Sequence, residues 1–113
     1  SVALAAATMM TTSPWLYGEH DFPVFRELEA AAKLSRYGCD CYAFAMLAAG
    51  HIDICVESGL QAYDIAGLIA PIEQAGGVVT DWHGGRPEQG GNVIACGSRE
   101  LHAEALDLLN RQR

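Results

Sequence analysis

The chain has 113 residues, of which 50% are hydrophobic and 19% charged, and this composition is enough for one modest folded core. Its formal net charge of −7 is spread through the chain, which disfavours nucleic acid and anionic lipid as partners. No apolar stretch reaches the roughly 20 residues of a membrane-spanning helix, and the alanine-rich start lacks the basic residues of a signal peptide. We therefore expect a cytoplasmic protein with no membrane partner.

The hydrophobic periodicity predicts strands that alternate with helices. We expect strands at 2–7, 52–57, 78–81 and 92–96, and helices at 22–33, 40–49, 64–76 and 98–111. Ser98 is expected to cap the last helix, because its hydroxyl can accept a hydrogen bond from an unpaired backbone N–H group. This order indicates an α/β fold with a mixed, mostly parallel sheet covered by helices. In such folds, functional groups gather at the carboxyl ends of the strands.

The four cysteines and four histidines do not have the spacing of a metal site. The chain contains neither the paired C-x-x-C of structural zinc sites nor an H-E-x-x-H sequence. We therefore expect reduced cysteines, with Cys55 and Cys96 on buried strands. The glycine-rich segment 83–91 lacks the Gly-Lys-Ser/Thr ending of a phosphate-binding P-loop and precedes a strand, so it is expected to be a hairpin or surface loop.

Asp64 lies between a β-branched run at 52–56 and an amphipathic helix. The helix is indicated by apolar residues at spacings of three and four, namely Ile65, Leu68, Ile69 and Ile72. Gly76 and Gly77 are expected to end it. An aspartate at this junction can cap the helix, or it can be a metal ligand beside the end of a strand. The pattern alone favours the helix cap.

The segment that begins at Tyr63 and Asp64 resembles the second signature of the inositol monophosphatase family. That signature is an aromatic residue and an aspartate, followed by small residues, an apolar helix and Glu-x-x-Gly-Gly, which residues 73–77 match. Glu57 stands seven residues before Asp64, as in the family. The strands predicted at 78–81 and 92–96 also resemble the last strands of the family, so the similarity covers nearly the whole chain.

The resemblance implies a Mg²⁺-dependent phosphomonoesterase, in which carboxylates hold metal ions that activate water and screen the charge of the phosphate. It implies that Asp64 is a ligand of the second metal ion and that Glu57 contacts a polar group of the substrate. It also implies that Gly38 and Asp40 line the same pocket. From the residues alone, Glu57 can equally end its strand in water, and Asp40 can equally cap the helix that follows.

Residues 36–44 are most similar to the histidinol-phosphate phosphatase branch, which reads Gly-x-Asp-Cys-Tyr-Ala-Tyr/Phe. Inositol phosphatases usually have a small residue in place of Asp40. A carboxylate there can pair with the cationic amine or imidazolium of histidinol phosphate but gains less from a neutral polyol. The Thr-Thr-Ser-Pro run at 11–14 also fits this branch. We therefore expect a histidinol-phosphatase of histidine biosynthesis, with inositol-1-monophosphatase as the alternative.

The first signature of the family, Asp-Pro-x-Asp-Gly-Thr, and the glutamate before it have no match in the sequence. The resemblance therefore implies that residues 1–113 form the C-terminal α/β domain of such an enzyme, without a catalytic residue of its own. We expect it to be inactive unless it joins the N-terminal half, and to form a homodimer. A noncatalytic partner or dimerisation module stays open as a different class of function. A nucleotide-binding module is disfavoured because its glycine fingerprint is missing.

Overall fold

The structure is a computed structural model that describes residues 3–11, 17–19, 21–37, 47, 50, 52–60, 65–88 and 91–110. Five strands and three α-helices are found in these ranges, after a 3₁₀ turn at Leu4–Ala6. In chain order they are β1 (Thr8–Thr11), α1 (Asp21–Ala31), β2 (Leu34–Tyr37), β3 (Ile54–Leu60), α2 (Ile69–Gln74), β4 (Val78–Asp81), β5 (Gly91–Cys96) and α3 (Arg99–Asn110).

The five strands form one mixed sheet with the order β2-β1-β3-β5-β4. Strand β1 pairs in parallel with β2 and β3, whereas β5 pairs antiparallel with β3 and β4. The predicted α/β class with a mixed sheet is confirmed, with parallel and antiparallel pairings equally represented among the described strands. Because β1, β2 and β3 run in the same direction, their carboxyl ends meet at one edge of the sheet.

The two faces of the sheet are covered by different helices. Side chains that alternate along the strands contribute to two separate hydrophobic clusters, as the pleat of a strand requires. One cluster joins the sheet to α1 and α3 and includes Phe25 and Leu28, which are fully buried. The other joins the opposite face to α2 through Ile72. None of the described helices is long and apolar enough to cross a lipid bilayer.

The strand predicted at 2–7 is wrong, because Leu4–Ala6 form a 3₁₀ turn and the strand begins at Thr8. The alanines of this segment favour helical turns over sheet, and Leu4 is buried in the cluster that includes α3. Its backbone N–H donates to Glu104 Oε1 at 2.9 Å. The sheet starts where the N–H of Thr8 donates to Asp53 Oδ2 at 2.8 Å.

Strand β2 was not predicted, and the helix expected at 22–33 ends at Ala31 instead. The backbone N–H groups of Lys33 and Leu34 both donate to the carbonyl of Ala7, which starts the pairing with β1. Strand β2 lies at the outer edge of the sheet and is largely exposed, so it lacks the alternation of apolar and polar residues that reveals a half-buried strand.

The helix predicted at 64–76 is shorter than expected. Ile65 and Ala66 are helical, a turn follows, and α2 then covers only Ile69–Gln74. Pro71 explains the interruption, because it has no N–H group to donate to the preceding turn. Gly76 ends the helix with a φ of 92°, as predicted, and the N–H of Gly77 donates to the carbonyl of Ile72. The helix predicted at 40–49 lies outside the described residues, except for Leu47.

The remaining predicted elements agree with the structure more closely. The strand at 78–81 has the predicted bounds, β5 begins one residue earlier than predicted, and α3 differs from its predicted bounds by one residue at each end. Strand β3 begins two residues later than predicted and extends to Leu60. The glycine-rich segment connects the antiparallel strands β4 and β5, so the predicted hairpin is confirmed. Asp81 Oδ1 stabilises its turn by accepting from the N–H groups of His83 and Gly85, both at 2.8 Å.

Candidate functional site

One of the four predicted site residues, Glu57, belongs to the part of the chain that the structure describes. Gly38, Asp40 and Asp64 lie outside it, so their predicted roles stay predictions. Glu57 is the fourth residue of β3, on the side of the sheet where the parallel strands end. Asp64 follows Glu57 seven residues later in the sequence.

Glu57 is buried, with only 4% of its surface exposed, so the interpretation that it ends a strand in water is wrong. Its Oε1 atom accepts a hydrogen bond from Thr11 Oγ1 at 2.8 Å. Thr11 is the last residue of β1 and is 1% exposed. Burying a carboxylate is costly unless it is hydrogen-bonded, so the neighbouring ends of β1 and β3 supply a bond that this position needs.

Tyr17 extends this buried hydrogen-bonded group. Its hydroxyl lies 2.9 Å from Thr11 Oγ1 and 3.1 Å from the carbonyl oxygen of Val56. The ring stacks against Phe25, with centroids 4.5 Å apart, and against Trp82 at 5.7 Å. Burial raises the pKa of Tyr17 above its usual value, so the phenol keeps its proton and remains a hydrogen-bond donor.

The segment after Glu57 is held by Asn92 of β5. Strand β3 changes register against β5 between Glu57 and Leu60, and Gly59 has a φ of 72° there. Asn92 Oδ1 accepts from Ser58 Oγ at 2.8 Å and from the N–H of Gly59 at 3.3 Å. Its Nδ2 atom donates to Asp21 Oδ2 at 2.8 Å. Asn92 therefore ties the start of α1 to the irregular end of β3, from which the chain continues toward Asp64.

Among the described residues, the other buried titratable side chains are His102, Cys55 and Cys96. His102 Nε2 lies 2.7 Å from Thr80 Oγ1, and burial lowers the pKa of this histidine. Cys55 and Cys96 are buried, reduced thiols, as predicted, and burial raises the pKa of Cys96 to about 12. Within the described ranges, no group of three or more His, Cys, Asp or Glu residues is placed to hold a metal ion.

Two of the residues that organise this site, Tyr17 and Asn92, were not identified from the sequence. The sequence assigns no role to Thr11 beyond its place in the Thr-Thr-Ser-Pro run. The bond between Thr11 and Glu57 joins residues 46 positions apart, so it becomes visible only once β1 and β3 are paired. The seven-residue spacing of Glu57 and Asp64 is the one local signal that points to this part of the molecule.

The sequence and the fold are similar to those of known proteins. The model of the inositol monophosphatase family matches residues 8–113. The bifunctional phosphatase IMPL2 of Arabidopsis thaliana is 40% identical over 115 residues, which are 94% of this chain and 33% of that protein. A histidinol-phosphatase of Streptomyces coelicolor is 36% identical over 76 residues, covering 67% of this chain and 28% of its own length.

A solved structure is also similar to this chain. The inositol monophosphatase of Zymomonas mobilis superposes with a TM-score of 0.92 at 36% identity, and the match covers 96% of this chain and 44% of that one. The chain thus spans about a third of the length of the curated relatives described above and less than half of this structure.

Proposed function

Because the chain belongs to the inositol monophosphatase family, we propose that it is the C-terminal part of a Mg²⁺-dependent phosphomonoesterase. The fraction of each relative that it covers supports this view, as does the lack of the first family signature in the sequence. The N-terminal half of the enzyme is then a required partner. When bound, Mg²⁺ would activate water and screen the charge of the phosphate. A cytoplasmic location also stays a proposal.

The buried carboxylate of Glu57 is the observation that carries this proposal. A glutamate that is 4% exposed stands where parallel strands end, and it is held by a threonine from the neighbouring strand. A carboxylate in this environment makes strong hydrogen bonds to an ammonium or hydroxyl group of a ligand. We propose that Glu57 contacts such a group of the substrate, that Asp64 is a ligand of Mg²⁺, and that Gly38 and Asp40 line the pocket beside them.

Histidinol phosphate is the substrate that we propose, and inositol phosphate is the alternative. The matched proteins include both a histidinol-phosphatase and an inositol monophosphatase, so similarity alone does not choose between them. Asp40 favours histidinol phosphate, because a second carboxylate beside Glu57 would attract a cationic amine. A neutral polyol gains less from two carboxylates and has no positive charge to balance them.

The test compares the two substrates with the full-length gene product. We expect a higher kcat/KM for histidinol phosphate, and we expect Asp40→Asn to lower it by about tenfold to a hundredfold, since a hydrogen bond to a charged group contributes about 1.5–3 kcal/mol. The same variant should change kcat/KM for inositol phosphate by less than about threefold. Glu100→Gln, which removes an exposed carboxylate from α3, is the matched control. An equal effect of Asp40→Asn on both substrates would reject the role of Asp40.

An interaction role is a second candidate, and strand β2 favours it. Among the described residues, Leu34 and Tyr37 are large hydrophobic side chains with 44% and 49% of their surface exposed. Both lie on the outermost of the described strands, and an outer strand can pair with another chain. We propose that the N-terminal half or a second copy covers this edge. Size-exclusion mass measurements on the full-length protein and on the 113-residue chain, with phosphate release by each, would separate a complete enzyme from an interaction module.

A further inference from the structure

We propose that Thr11 and Tyr17 are positioning residues that hold the carboxylate of Glu57 in the orientation required for substrate recognition. This inference rests on the proposed function, in which Glu57 contacts a polar group of the substrate. The inference goes beyond that function by assigning the orientation of the carboxylate to two hydroxyl groups from outside β3. The two hydroxyls belong to β1 and to the segment before α1, so the site depends on how these parts pack together.

The hydroxyl protons can be followed through the group. Thr11 has one hydroxyl proton, and it donates that proton to Glu57 Oε1 at 2.8 Å. In the 2.9 Å contact between the two hydroxyls, Tyr17 must therefore be the donor. The single proton of Tyr17 faces two acceptors, Thr11 Oγ1 and the carbonyl of Val56 at 3.1 Å. The hydroxyl of Tyr17 thus orients that of Thr11, and the hydroxyl of Thr11 orients the carboxylate of Glu57.

The tyrosine is the rigid end of this group. Its ring is held between Phe25 and Trp82 in the main hydrophobic cluster, and only 7% of its surface is exposed. The carbonyl of Val56 belongs to the residue directly before Glu57. The hydroxyl of Tyr17 is therefore hydrogen-bonded to the same strand that carries the carboxylate. A packed aromatic ring has little freedom to move, whereas the terminal torsion of a glutamate is soft. Because Tyr17 contacts Thr11 and Thr11 donates to Glu57, the fixed ring restricts the orientation of the carboxylate.

Orientation matters because ligand recognition requires the acceptor to be in place before binding. A site that is loose by about 1 Å loses much of its effect, and supporting hydrogen bonds are what prevent this. The expected consequence is a change in substrate affinity, since Glu57 is proposed to bind the substrate and not to react with it. Removing the hydroxyl of Thr11 should therefore raise KM and leave kcat nearly unchanged.

The first set of variants is made in the full-length protein. Thr11→Val removes the hydroxyl at nearly constant volume and is expected to raise KM for histidinol phosphate about tenfold, the loss expected for one hydrogen bond to a charged group. Thr11→Ser restores a hydroxyl and should return KM to within about twofold of the original value. Thr80→Val is the matched control, because Thr80 also loses hydrogen bonds but lies on β4. It should lower thermal stability without changing KM.

A second substrate separates positioning from a general structural effect. Phenyl phosphate has no amine or hydroxyl group for Glu57 to contact, so Thr11→Val should leave its KM and kcat within about twofold. If the two hydroxyls only stabilise the fold, turnover of both substrates falls together, and this result would overturn the inference. Tyr17→Phe keeps the stacked ring and removes only its hydroxyl. It gives the same comparison if Thr11→Val fails to fold.

A double-variant cycle distinguishes failure of this inference from failure of the proposed function. Glu57→Gln should raise KM for histidinol phosphate, and adding Thr11→Val to it should have little further effect, because both changes act through one carboxylate. An unchanged KM in Glu57→Gln would refute the proposed substrate contact itself. If Glu57→Gln raises KM but Thr11→Val alone leaves KM unchanged, or if the effects of the two changes add fully, the substrate contact stands and the positioning role is overturned.

Discussion

Replacing Asn92 with alanine should destabilise the protein by about 3 kcal/mol. The side chain makes three hydrogen bonds, two from Ser58 Oγ and the N–H of Gly59 and one to the carboxylate of Asp21. A neutral hydrogen bond contributes about 0.5–1.5 kcal/mol and one to a charged group about 1.5–3 kcal/mol. The site is only partly buried and the Gly59 contact is long, at 3.3 Å, so the lower part of the summed range is the appropriate estimate.

The assay is urea unfolding of the full-length protein, followed at constant pH and analysed by linear extrapolation. Gln74→Ala removes an exposed amide from α2 and serves as the control, with a change expected within about 0.5 kcal/mol. Asn92→Asp should also be destabilising, because it keeps the acceptor for Ser58 but places a carboxylate beside Asp21. A loss below about 0.5 kcal/mol in Asn92→Ala would show that these hydrogen bonds do not hold the end of β3.

Three further predictions concern the core and its buried titratable groups. Leu28→Ala should lower the free energy of unfolding by about 2–5 kcal/mol in the same urea assay, because Leu28 is fully buried, and a cost below about 1 kcal/mol would contradict its placement. Burial lowers the pKa of His102, so the unfolded chain binds its proton more readily and stability should fall as pH decreases below about 6.5. His102→Gln should weaken this dependence of stability on pH between pH 8 and pH 5. An identical dependence in the variant would refute the role of His102. Cys55 and Cys96 should resist alkylation by iodoacetamide in the native protein and react in urea, since both are buried and burial raises the pKa of Cys96 to about 12. Labelling is measured by mass spectrometry. Alkylation of either thiol in the native protein as fast as in urea would contradict its burial.

The elements that could be predicted from sequence are those whose signal is local. The β-branched run of β4 and the apolar stripe of α3 predicted both elements to within a residue or two. The cap of α3 is also confirmed, because the N–H of Leu101 donates to Ser98 Oγ at 3.2 Å. Strand β2 and the 3₁₀ turn at Leu4–Ala6 were missed because their conformations depend on neighbours. Strand β2 exists because β1 offers it an edge, and the turn is held by α3 through Glu104.

In the candidate site, too, only the features with a local signal could be predicted from the sequence. The spacing of Glu57 and Asp64 pointed to the end of β3, and the structure adds that Glu57 is buried and bonded to Thr11. The roles of Tyr17 and Asn92 could not be predicted, because each depends on side chains brought together by the sheet. Tyr17 reaches Val56 across 39 positions, and Asn92 reaches Asp21 across 71. No pattern in the linear sequence encodes such distant partners.

The most informative single measurement is the release of inorganic phosphate from histidinol phosphate by the full-length protein, with Mg²⁺ and after its removal with EDTA, in the original protein and in Asp64→Asn. We predict turnover that requires Mg²⁺ and is lost in the variant, with an unchanged circular dichroism spectrum, because an amide is a much poorer ligand than a carboxylate for this hard cation. Mg²⁺-independent turnover, or turnover that is unchanged in folded Asp64→Asn, would contradict the proposal that this chain completes a magnesium-dependent phosphatase.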